Sequence, residues 1–141
     1  MKESYKRILV AVDSSEQARR AFQEAIEVTR RNDAHLYILI VSDTNHLGAE
    51  PYAVDQVVKQ AHKAAGAVVE SLEELIPEDI AHTTIVDDGN PKAKIVAYAE
   101  EEKIDLILMG ATGTGTFSRL LLGSTTAFVV NNALCNVMVV R

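Results

Sequence analysis

The sequence predicts an α/β fold: one domain over residues 1–141, built as a doubly wound, five-stranded parallel sheet with helices on both faces. Short apolar runs recur along the chain without polar alternation, as strands covered on both faces require. Segments with apolar residues every three or four positions separate those runs. Glycine, proline and aspartate cluster where one kind of segment gives way to the other. At 141 residues the chain is long enough for one domain with a sizeable core and too short for two of ordinary size.

Ile8 to Val12 is the first such run and reads as a strand. Asp13-Ser14-Ser15 then supplies turn and N-cap chemistry for a helix carrying Ala18, Ala21, Phe22, Ala25, Ile26 and Val28 at helical spacing. Leu36 to Val41 is a second buried strand, and the aperiodic stretch Ser42 to Tyr52 reads as a loop. From about Ala53, apolar positions from Val57 through Leu72 to Leu75 predict a long amphipathic helix halted by Pro77. Thr83 to Val86 is a third strand. Asp87-Asp88-Gly89-Asn90-Pro91 follows as a turn, with Asn90 able to cap a helix and Pro91 suited to its first position. That helix turns Ile95, Val96, Ala99 and Ile104 inward. Asp105 to Met109 forms the fourth strand, Gly110 to Gly123 a glycine-bearing loop, Ser124 to about Ala133 a helix capped by Ser124, and Val137 to Val140 the fifth strand.

Composition narrows the function. Apolar residues make up 48% and charged residues 24%, the balance of a globular protein. A formal charge of −6 with no basic block repels nucleic acid and anionic lipid, so neither is an expected partner. The apolar run after the charged N-terminus is too short for a signal peptide or a membrane span, which sets cytoplasm as the expected location. Cys135 has no second cysteine to pair with and reads as a small core residue. His35, His46, His62 and His82 show no paired metal spacing.

In doubly wound sheets ligands sit beyond the carboxyl ends of the strands, near the topological switch point. The strand ends Val12, Val41, Val86 and Met109 therefore border the region to search. After Met109 the chain reads Gly110-Ala111-Thr112-Gly113-Thr114-Gly115 and continues to Gly123-Ser124-Thr125-Thr126. Its glycines allow close backbone approach and positive φ, and its end opens a helix whose free N–H groups favour an anion such as phosphate. Hydroxyls at Ser124 and Thr125 add donors. The glycines match neither the dinucleotide fingerprint nor the P-loop.

Gly110-x2-Gly113-x9-Gly123-Ser124 resembles the G-x2-G-x9-G-[ST] motif of the ATP-binding universal stress proteins. Similarity to that family extends over Ile8 to Asp13, Gly89-Asn90-Pro91, Asp105 to Gly110 and Leu120 to Ser124. The resemblance implies a Rossmann-like fold of the adenine nucleotide alpha hydrolase type. It also implies ATP with Mg2+, with adenine near Val41, ribose near Asp13 and Gly110, and phosphates on Gly113, Gly123, Ser124 and Thr125. Val12 and Met109 border the same site. A carboxylate at Asp13 would repel bare phosphate but accepts hydrogen bonds from ribose hydroxyls or supports the cation. The chain departs from the family pattern at Asn136, where a proline is common nearby, and at Thr112, where a larger polar or basic residue is common; Arg119 reads first as a solvated loop cation and second as a partial replacement for the phosphate contacts.

No activated nucleophile, general base or P-loop lysine stands in the loop, which argues against fast catalysis. The resemblance points to a nucleotide-dependent regulator of the stress response. The alternatives are a slow ATPase or self-phosphorylating enzyme and a nucleotide-independent interaction module. It also implies that the last strand lies at a sheet edge, where Val137 and Val139 would pair with a second copy in a homodimer.

Overall fold

The computed structural model describes residues 3–44, 51–112 and 122–141, with the backbone alone for 51–54. Strands β1 (Arg7–Val12), β2 (His35–Asp43), β3 (His82–Gly89), β4 (Leu106–Gly110) and β5 (Asn136–Val140) alternate with helices α1 (Glu16–Asn32), α2 (Pro51–Glu73), α3 (Pro91–Glu101) and α4 (Ser124–Asn132). They form one parallel sheet in the order β3-β2-β1-β4-β5, the predicted Rossmann-like architecture. The chain winds outward from β1 to β3, then returns to place β4 on the other side of β1. The switch point therefore lies between β1 and β4.

Alternation along the strands builds two cores. Ile8, Val10, Ile38 and Leu108 meet Phe22 of α1 and Val69 and Leu72 of α2 on one face. Leu9, Leu39 and Ile107 meet Ile95 and Ala99 of α3 and Val129 of α4 on the other, with half-buried Cys135 packed beside them. Both layers are apolar, so the continuous hydrophobic runs were a sound guide to strands covered on both sides.

The polar ends of the elements depart from expectation. Ser42 and Asp43 continue β2, and Asp87 to Gly89 continue β3, because the two segments pair with each other as Val41↔Asp87, Ser42↔Asp88 and Asp43↔Gly89. Ladder hydrogen bonds use backbone atoms only, so polar side chains do not end a strand that has a neighbour. Gly89 closes the extension at φ 134, a conformation that favours glycine. Helix α2 starts at Pro51, before Ala53, and ends at Glu73, after which turn bonds from Leu75 and Ile76 to Leu72 and Glu73 replace the helix. Val57 and Leu75, expected on the apolar stripe, are exposed. Ile104 is buried beyond the end of α3, in a turn where Lys103 takes φ 53. Among the described residues no helix is long and apolar enough to cross a membrane.

Candidate functional site

At the switch point the carboxyl ends of β1, β2 and β4 and the first turns of α1, α3 and α4 surround a cleft of about 440 Å³. Asp13 follows β1 and accepts a 2.7 Å hydrogen bond from Ser15 N through Oδ1. Ser15, and neither Asp13 nor Ser14, caps α1: its hydroxyl accepts from Ala18 N at 3.1 Å. Asp13 shapes the turn and still lines the cleft beside Val12. Val41 supplies the wall from β2, with Asp43 beyond it on the same side of the strand. Met109 and Gly110 form the floor at the end of β4.

The opposite wall is the start of α4, where Gly123, Ser124 and Thr125 line the cleft. Ser124 was expected to cap this helix. Gly123 holds the N-cap position instead, and it has no side chain with which to cap the helix. The amides of the first helical turn have no intrahelical acceptor, an arrangement that suits a bound anion. Gly123 itself has φ −60, an ordinary extended conformation, so positive φ does not explain this glycine. Thr126 is buried and donates from its hydroxyl to Gly110 O at 2.8 Å, and Gly123 N donates to Ala111 O at 2.8 Å. Those two bonds fasten α4 to β4. Helix α3 likewise has Asn90 at its N-cap without a side-chain bond, with Pro91 at its first position facing the cleft.

Thus Val12, Asp13, Val41, Met109, Gly110, Gly123, Ser124 and Thr125 gather around one cleft. Gly113, Gly115 and Arg119 lie outside the described residues, as does His46. Sequence reasoning missed Asp43 because a polar strand end looks like a loop, and missed Pro91 and Ile95 because the fold alone brings α3 to the cleft. Among the described residues no cationic side chain lines the cleft, and no cluster of three or more metal-binding side chains occurs. The clear displacements of acidity lie at the opposite end of the sheet. Burial pushes the Tyr98 hydroxyl up to about 12, with Glu102 and Tyr37 adding to the shift. Burial also lowers His35, and Arg7 and His82 act in the same direction.

A five-stranded parallel sheet with an open cleft at its switch point, bordered by the starts of α1, α3 and α4, defines a doubly wound α/β protein of Rossmann-like fold. Residues 4–141 match the model of the universal stress protein family, and the chain belongs to that family. A universal stress protein of Methanocaldococcus jannaschii is 33% identical over 142 residues, covering 97% of this chain and 82% of the relative. The solved universal stress protein UspA from Lactobacillus plantarum superposes with a TM-score of 0.89 at 34% identity, covering 99% of this chain and all of the other. A solved universal stress protein in complex with cAMP aligns with a TM-score of 0.61 at 26% identity, covering 99% of this chain and 98% of the other.

Proposed function

We propose that this protein binds an adenine nucleotide, ATP with Mg2+, in the switch-point cleft and acts in the cytoplasm as a nucleotide-dependent regulator of the stress response. The observation that carries the reading is the pairing of opposites across the cleft, the Asp13 carboxylate on one side and the uncapped start of α4 on the other. A nucleotide has the matching polarity, with ribose hydroxyls at one end and phosphates at the other. The relative in complex with cAMP supports the ligand class.

In this reading the base lies against Val41 and Met109, the ribose against Val12, Asp13 and Gly110, and the phosphates on Gly113, Gly123, Ser124 and Thr125. A cleft whose described lining includes Asp13 and Asp43 but no cation suits phosphates that bring their own Mg2+, which needs only one or two protein carboxylates beside phosphate oxygens. Asp13 would hold the ion and the ribose, and the ion would supply charge neutralisation. Denaturing the purified protein and identifying the released small molecule by mass tests the reading. An adenine nucleotide is expected. A released ligand of another class contradicts it.

The proposed assembly is a homodimer through β5. This strand pairs with β4 on one side and stands at the sheet edge. Exposed Val130 and Leu134 precede it, an apolar surface next to unpaired backbone groups. Val139→Pro removes a backbone donor from the edge and is expected to shift sedimentation from dimer to monomer. A dimer insensitive to proline at both Val137 and Val139 excludes this interface.

A further inference from the structure

The chain enters and leaves the glycine-bearing segment against the first turn of α1 and the start of α4. Thr112 N donates to Gln17 Oε1 at 2.7 Å. Gln17 sits in the first turn of α1, two residues after the capping Ser15. Gly110 lies so close to that turn that a Cβ on it would fall 2.9 Å from Gln17 Cβ and 3.0 Å from Gln17 C. The end of β4 is pressed against α1, and the Gln17 carboxamide reaches past it to Thr112, the last described residue before the segment. On the return side the Gly123–Ala111 and Thr126–Gly110 bonds hold α4 to the same strand end. The turn leading into α1 also carries the Asp13–Ser15 bond. The starts of α1 and α4 therefore grip the same strand end, and the Asp13–Ser15 turn adjoins the first of them.

Building on the proposed nucleotide site, we infer that Gln17 is a positioning residue: it holds the Thr112 backbone, and with it the strand end to which the start of α4 is bonded, in register with the Asp13–Ser15 turn. Thr112 lines the cleft and Gln17 does not, so Gln17 acts through Thr112. Backbone amides bind phosphate well when they are held in place before the ligand arrives; ordering them during binding costs affinity. Without an acceptor at position 17 the Thr112 N–H turns to water, and the ordering cost falls on the phosphate part of the ligand. Adenosine, which lacks phosphate, does not incur it.

The test measures binding of adenosine and of ATP with Mg2+ to the wild-type protein, Gln17→Leu and Gln17→Glu, together with amide hydrogen exchange at Thr112. Leucine removes the acceptor at similar size, and glutamate retains one. Gln17→Leu is expected to bind adenosine as the wild type does and ATP roughly 5-fold more weakly, the factor that one net neutral hydrogen bond contributes. Its Thr112 amide exchanges faster, while Gln17→Glu keeps the wild-type protection. Equal losses for adenosine and ATP in Gln17→Leu, or an unchanged Thr112 amide, overturn the role of Gln17 and leave the nucleotide site standing. A wild type that binds neither ligand overturns the nucleotide reading, and this role with it.

Discussion

At the amino ends of the strands the polar groups satisfy one another, whereas at the carboxyl ends helix amides face an open cleft. The Asp105 carboxylate accepts from Lys6 N at 3.0 Å and Arg7 N at 3.2 Å. Arg7 donates to Glu102 O at 2.6 Å and Glu102 Oε2 at 3.1 Å, and its guanidinium stands 4.9 Å from the Tyr37 ring centre. Tyr37 in turn contacts the rings of His35 at 4.7 Å and Tyr98 at 6.3 Å, and His35 bonds Thr83 at 2.8 Å. Such a network has its donors and acceptors committed to the fold. Around the cleft, by contrast, α3 and α4 both start without a side-chain cap. The same parallel sheet thus has a closed end that ties termini of elements together and an open end with binding capacity left over.

Gly110→Val should produce the largest effect, because its side chain meets the backbone of α1 and not only a flexible neighbour. Overpacking of this kind costs about 1–3 kcal/mol. The denaturant midpoint is expected to fall and ATP binding to weaken with it. A wild-type midpoint in this variant would show that the open end is not braced by the β4–α1 contact.

A smaller effect is expected from Asp13→Ala, which removes one ribose hydrogen bond and lowers ATP affinity by about 1 kcal/mol, with a larger loss if the Mg2+ contact goes too. A ribose-lacking triphosphate should lose less than ATP does. Equal losses for the two ligands, without dependence on Mg2+, would remove Asp13 from the ligand side of the comparison.

The smallest effect belongs to the closed end. His35 is harder to protonate in the folded chain than at its ordinary value of 6.5. As pH falls through that value the unfolded chain takes up the proton first, so stability is full above it and is lost on the way down to the lowered folded value. His35 is only half-buried, so screening keeps the contribution small. His35→Gln should therefore show a shallower loss of stability between about pH 7 and about pH 5 than the wild type, with ATP affinity unchanged. Identical slopes would mean that burial, with the Arg7 and His82 charges beside it, does not hold His35 neutral in the folded chain.

Much of the fold was readable because burial on both faces leaves a one-dimensional trace. Ile8–Val12, Leu36–Val41 and Asp105–Met109 are apolar at every core position, and each became a strand within one or two residues. Asp87, Asp88 and Gly89 were not readable as strand, since what extends them is a neighbour's backbone and not their own side chains. At the site, turn and glycine chemistry pointed to Val12, Val41 and Met109, which border the cleft, and to Val86, which does not line it. Capping followed residue preference at α1, where Ser15 of the Asp13-Ser14-Ser15 turn took the role, and departed from it at α4, where Gly123 holds the position expected of Ser124. Asp43, Gln17 and the Arg7–Tyr37–Tyr98 network needed the fold, because their partners are distant in sequence and carry no shared spacing.

Calorimetric titration of ATP with Mg2+ into the wild-type protein and into a Gly113→Val, Gly123→Val double variant tests the central claim most directly. In the proposed site, branched side chains at these positions would obstruct the phosphates, while the strands that hold the fold are untouched. Saturable binding of about one ATP per chain is expected for the wild type, and no measurable binding for a double variant whose circular dichroism and melting remain those of a folded domain. Equal ATP affinity in the two folded proteins would contradict the assignment of the cleft as the nucleotide site.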